Sequence, residues 1–137
     1  MQREYKYRAK RLDGKGWVYG MPVQSVNDRC YMIVGATEDA VNTRNEIDFM
    51  YVEVDPGTLG EYTGMKDMNG LEVYEDDIVL QQQYGGGKGK MVVRFEKGAF
   101  IVGYHQWNMV KTKPMLLNVR CEVIGNIHDN PELLKME

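Results

Sequence analysis

Serine is almost missing from this chain: Ser25 is the only one in 137 residues. It lies in the run Pro22-Val23-Gln24-Ser25-Val26, outside any G-x-S-x-G elbow, which argues against a serine hydrolase of that kind. Cysteine and histidine occur twice each. Cys30 and Cys121 are 91 positions apart with no C-x2-C pair, and His105 and His128 form no H-x3-H pair, so the spacing of a zinc site is absent. The two cysteines are expected to be reduced, buried thiols. No run of about 18 apolar residues exists that could span a bilayer as a helix. The opening Met1–Asp13 is charged and has no apolar core, so it does not read as a signal peptide, and the expected location is the cytoplasm. Only four prolines stand against fifteen glycines, which points to tight turns rather than a Pro-rich linker.

What is present is a chain 43% hydrophobic and 27% charged, ordinary for a globular protein and most simply a single domain over residues 1–137. Its charge is unevenly spread. Residues 1–15 hold six basic and two acidic side chains, residues 46–77 hold ten acidic ones against Lys66 alone, and residues 88–120 hold seven basic ones against Glu96 alone. Such a split fits segments that face each other in one folded unit, or an acidic face that meets a basic face between subunits.

Period-two alternation dominates. Tyr5, Tyr7 and Ala9 alternate with Glu4, Lys6, Arg8 and Lys10, and Trp17, Tyr19, Met21 and Val23 alternate after the turn Asp13-Gly14-Lys15-Gly16. Pro22 cannot donate to a ladder, which puts that part of the strand at an edge or bulge. Further strands are expected at Cys30–Val34, Ile47–Val54, Asp77–Tyr84, Met91–Phe95, Ala99–Tyr104 and Arg120–Ile127, with a turn at Glu96-Lys97-Gly98. Leu71–Tyr74 is a brief extended piece, Thr58–Met65 is too short and Gly-rich for a helix, Gly85–Lys90 reads as a loop, and residues 105–118 read as irregular. Asn130-Pro131-Glu132 has the cap, the proline and the acid of a short C-terminal helix. The fold class is therefore mainly β: about eight short, largely antiparallel strands in a barrel-like or sandwich architecture, with one short terminal helix.

The most patterned stretch is Glu61–Val79. Gly64 allows tight backbone, Asp67 can hydrogen-bond its own turn, Asn69-Gly70 reverses the chain, Tyr74 offers a hydroxyl to a buried carbonyl, and Asp77 launches Ile78-Val79 into a strand. Here the sequence resembles the YopX family of phage and prophage proteins. The resemblance rests on Tyr62-Thr63-Gly64-Met65-Lys66-Asp67, Asn69-Gly70, Val73-Tyr74-Glu75 and Asp77-Ile78-Val79, and on Val123-Ile124-Gly125-Asn126-Ile127 with Asp129-Asn130-Pro131-Glu132-Leu133-Leu134. The opening Tyr5–Ala9, Val54-Asp55-Pro56 and Thr58-Leu59-Gly60 extend it. Asp76 stands where the family usually has glycine; if that position needs positive φ, Asp tolerates it better than most residues. The resemblance implies a largely β protein in the cytoplasm of a bacterial host, with no established catalysis and hence no catalytic residue to carry over. Tyr62, Thr63, Gly64, Asp67, Asn69, Gly70, Tyr74, Asp77, Gly125, Asn126 and Pro131 are expected to be structural.

Chemistry is sparse. Tyr84-Gly85-Gly86-Gly87-Lys88-Gly89-Lys90 lacks the spacing of a phosphate-binding loop. Consecutive Glu75, Asp76 and Asp77 point to alternate sides of an extended segment and do not converge on a metal. No enzyme, cofactor or metal is expected. The leading expectation is a self-associating interaction module that binds itself and a phage or host protein, since eight short strands must leave edges to manage. The alternative is a small nucleic-acid-binding barrel that uses Lys88, Lys90, Arg94, Trp107, Lys111 and Lys113, with Phe95, Phe100 and Tyr104 as stacking rings.

Overall fold

A computed structural model describes residues 3–24, 27–34, 50–82, 86–103 and 115–134. The protein is mainly β, with eleven strands among these residues, and its chain divides into two compact units, Met1–Glu61 and Tyr62–Glu137.

The first unit holds β1 (Tyr7–Lys10), β2 (Trp17–Gln24), β3 (Cys30–Val34) and β4 (Met50–Val54), followed by a 3-10 turn at Pro56–Thr58 and the start of β5 (Gly60–Lys66). Its antiparallel order is β4-β3-β2-β1-β5. The β1–β2 turn is tied by Asp13, whose carboxylate accepts from the Arg11 guanidinium at 2.6 Å and from the Lys15 amide at 3.0 Å. β2 changes partner midway: Trp17–Gly20 pair with β1, and Met21–Gln24 pair with β3. Gly20 permits this, because a Cβ there would lie 1.9 Å from the Ile33 carbonyl oxygen. Pro22 falls beyond the β1 ladder, so its missing N–H costs nothing on that side. Ala9, Cys30, Met32 and Val54 form the core, with Tyr7, Val18, Val52 and Leu59 packed against them.

The 3-10 turn is stitched to β1. Asp55 Oδ1 accepts from Gly57 N at 2.9 Å, and Thr58 Oγ1 accepts from Lys10 N at 2.8 Å. Asp55 N donates to Lys10 O at 2.8 Å, and Leu12 N donates to Glu53 O at 3.2 Å. A single bridge between Arg11 and Val54 thus joins the ends of β1 and β4 without building a ladder. The barrel-like expectation fails here: the sheet curls but stays open, because only the last residues of β4 come within reach of β1.

In the second unit β5 pairs with β6 (Glu72–Tyr74), and an antiparallel sheet of order β10-β9-β8-β7-β11 comprises β7 (Asp77–Gln82), β8 (Lys88–Glu96), β9 (Ala99–Gly103), β10 (Met115–Leu116) and β11 (Glu122–Asn126). This sheet is open as well. Val73, Val79, Met91, Val93, Val102, Leu117 and Cys121 are its core. The expected β8–β9 hairpin pairs Glu96 with Ala99 across Lys97 and Gly98, at φ +51° and +82°. Strand β5 was missed because Gly60 and Gly64 lower β propensity, and pairing on both edges overrides that. Lys88–Lys90, expected as loop, extend β8, since Gln81 and Gln82 offer a ladder. The C-terminal helix is also corrected: Pro131–Leu134 form a four-residue 3-10 turn. No helix among the described residues is long and apolar enough to cross a membrane.

Candidate functional site

Three places could carry function: the patterned corner, the basic segment, and the outer face of the first unit.

The corner unites the two sequence anchors. Asp67 is buried at the mouth of its turn, where Oδ1 accepts from Asn69 N at 2.8 Å and Leu71 N at 2.9 Å. Its Oδ2 accepts from Val123 N at 2.9 Å, and Met68 N donates to Cys121 O at 3.0 Å. Burial pushes the Asp67 carboxyl up, but the amides of Val123, Leu71 and Asn69 outweigh it and hold it below the ordinary value. The Cys121 thiol is pushed up by burial and by the Asp67 and Asp77 charges; the Cys30 thiol is pushed up by burial alone. Both cysteines are free and buried. Gly64 and Gly70 take φ of +83°, and Thr63 Oγ1 donates to Val73 O at 2.8 Å. The Tyr62 and Tyr74 rings pack with centroids 5.4 Å apart and planes tilted by 39°. The Tyr74 hydroxyl donates to Glu72 Oε1 at 3.4 Å.

The acidic triplet diverges. Asp77 Oδ2 accepts from Tyr74 N at 2.8 Å, while Asp76 turns toward His128, its Oδ2 3.0 Å from Nε2. Asp76 has φ +71°, the left-handed backbone that glycine would supply. Its N–H donates to Val93 O and its carbonyl accepts from Ile127 N. Among the described residues no three His, Cys, Asp or Glu side chains gather as metal ligands. The second anchor is a cap of its own. Asn126 Oδ1 accepts from the amides of His128 and Asp129, and Asn130 Oδ1 accepts from Asn126 N. A Cβ on Gly125 would lie 2.6 Å from Asn130 Oδ1, and Pro131 opens the final 3-10 turn. The Asp67 and Asp77 carboxylates are both occupied in holding backbone amides.

Of the basic segment, Lys88, Lys90 and Arg94 share one face of β8, since they sit at alternate positions. Phe95 and Phe100 lie on the other face, edge to face at 5.0 Å. These rings and these cations are not brought together. Trp107, Lys111 and Lys113, with Tyr104 and His105, lie outside the described residues.

The outer face of the first unit was not foreseen. Cross-strand partners point to one side of a sheet, so Arg8 joins Tyr19, Lys10 joins Trp17, Met21 joins Ile33, Val23 joins Tyr31, Ile33 joins Tyr51, and Tyr31 joins Glu53. Ala9, Val18, Met32 and Val54 point the opposite way, into the core. The outer face leaves Tyr19 49%, Met21 46%, Val23 43% and Tyr51 63% exposed. The Arg8 guanidinium stands 4.7 Å from the Trp17 ring centroid, and Lys10 Nζ stands 5.6 Å from it. The period-two pattern of residues 17–23 was the available signal; it identifies a strand but not which side is buried. Beside this face, Leu12, Met50 and Tyr51 line a groove of about 490 Å³ along β4, rimmed by Arg11, Asp13 and Glu53.

The sequence profile described as YopX protein matches residues 6–135, across both units. The chain belongs to the YopX family. The whole fold also resembles the crystal structure of protein EF1440 from Enterococcus faecalis, at a TM-score of 0.54 and 23% identity over 98% of this chain and 100% of that one. At that identity the likeness concerns the fold. Comparison with curated proteins gives no match. The YopX match accounts for the corner: its two anchors are the two halves of one hydrogen-bonded junction.

Proposed function

We propose that this YopX protein is a non-enzymatic assembly module that self-associates through the open edge of β4. One observation carries the reading: Met50 and Tyr51, 68% and 63% exposed, are consecutive on the strand that edges the sheet among the described residues. Natural sheets place charge, proline or bulges at such edges to prevent pairing. Glu53 O and Asp55 N are taken by Leu12 and Lys10, so by strand alternation the N–H and C=O of Tyr51 point to the same open side. An antiparallel β4–β4 pairing between copies is self-complementary, and the groove beside Leu12 receives the apolar side chains of the second copy. Leu116, 67% exposed on β10, adds less because that edge strand has only two residues.

Support for a non-catalytic role is the occupation of the Asp67 and Asp77 carboxylates by backbone amides. A phage or prophage origin, a bacterial cytoplasmic setting and a further phage or host partner rest on the family resemblance. Size-exclusion chromatography with light scattering over a concentration series tests self-association. The wild type is expected as a dimer at micromolar concentration and Met50→Lys as a monomer; a wild-type monomer throughout the series rejects the reading.

A further inference from the structure

We propose that the outer face of β1–β4 is a binding track for single-stranded nucleic acid, distinct from the Lys88–Arg94 face and sharing only Tyr51 with the β4 edge. Trp17, Tyr19, Tyr31 and Tyr51 present rings on one side of three neighbouring strands. Bases of any sequence stack on such rings, while cations beside them follow the phosphates. Lys10 and the exposed Arg29 supply those cations. Arg8 is nearly buried and acts differently: stacked on Trp17, it orients the ring. Arg29 is held by the Tyr31 hydroxyl and by the charge of Glu53, which raise its affinity for a proton. Among the described residues of this face Arg8, Lys10 and Arg29 outnumber the one carboxylate, Glu53, although the chain as a whole carries a net charge of -3.

Chemistry selects the occupant: bases stack on aromatic rings while neighbouring cations follow the phosphates. Flat rings flanked by cations match a polymer of flat rings and anions better than they match an apolar globular surface.

Fluorescence anisotropy with a labelled oligothymidylate at low salt tests the track. The wild type is expected to bind, and to bind roughly sevenfold more weakly when salt rises about fourfold, as for about two phosphate contacts. Tyr19→Ala with Tyr31→Ala is expected to weaken binding about a hundredfold, at about tenfold per stacked ring, while the Tyr→Phe pair retains it. Lys10→Gln with Arg29→Gln leaves both rings in place and is expected to lower affinity and flatten the salt dependence. Lys88→Glu with Lys90→Glu is expected to change nothing. No binding by the wild type overturns the proposal. So does loss of binding in the Lys88/Lys90 variant alone, or an Ala pair that stays folded and binds like the wild type. If instead Tyr19 and Tyr31 prove to be covered by another protein while oligonucleotide is ignored, the face is a protein interface and the assignment fails. Because Met50→Lys leaves these rings and cations untouched, an absence of dimer does not bear on this outcome.

Discussion

Asp67 Oδ2 accepts a 2.9 Å hydrogen bond from the backbone N–H of Val123, 56 residues further along the chain. The same carboxylate closes its own turn through Asn69 and Leu71. One side chain therefore fixes a local reversal and a long-range junction together. Replacing it by Ala leaves three amides without their charged acceptor, and Asp67→Ala is expected to cost about 3 kcal/mol in urea unfolding near neutral pH with an unchanged m-value.

The pH dependence follows from the same contacts. In the folded protein the Asp67 carboxyl lies below its ordinary value of 3.8. Its contribution is thus fully present above that value and is lost as pH falls through the lower folded one. Asp67→Asn is expected to show its largest deficit at neutral pH, with the gap to wild type closing below about pH 4. A gap that stays constant into acid argues that the charge is not what the amides require.

Gly20 is expected to tolerate no side chain. A methyl group there meets the backbone oxygen of Ile33, which cannot swing aside as a side chain could. Gly20→Ala should cost about 3 kcal/mol or more, because the β2–β3 ladder has to separate. A thermal melt within a degree or two of wild type would show that β2 bends elsewhere.

Asp76 separates two roles. Its left-handed φ favours glycine, while its carboxylate holds His128 at 3.0 Å. Asp76→Gly gains backbone ease and loses that contact, so it is expected within about 1 kcal/mol of wild type. Asp76→Val loses both and adds the strain of a β-branched residue at positive φ, about 2–3 kcal/mol. Equal stability of the two variants in denaturant unfolding would refute the backbone argument.

Gln81 is fully buried, and its amide donates to Leu116 O at 2.9 Å and accepts from Asn118 N at 3.1 Å. Gln81→Leu keeps the volume and strands both backbone groups, at a cost of about 2 kcal/mol. Hydrogen exchange should show the Asn118 amide losing protection first, ahead of β7 and β8.

The strands at Cys30–Val34 and Ala99–Gly103, the Glu96–Ala99 hairpin and the turn at Asp67 were legible because each depends on residues a few positions apart. Positive φ at Asp76 was suggested by the family resemblance, where glycine is usual at that position, rather than by the residues around it. β5 was not legible because Gly60 and Gly64 weaken its strand propensity, and β10 was not because it has only two residues. The exposed outer face of the first unit escaped because Tyr19, Met21 and Val23 alternate as a core strand would, yet Val18 is the residue that faces inward.

Alternation, glycine placement and Asx turns are local, and the amino acids alone determined them here: an antiparallel β protein of the YopX family, with its corners in known places. Which side of β2 meets Met32 and Val54, that Asp67 reaches Val123, and that Lys88 parts from Phe95 were decided only in three dimensions. The side of a strand that is buried is set by what packs against it, and a two-residue period is equally well satisfied by either choice.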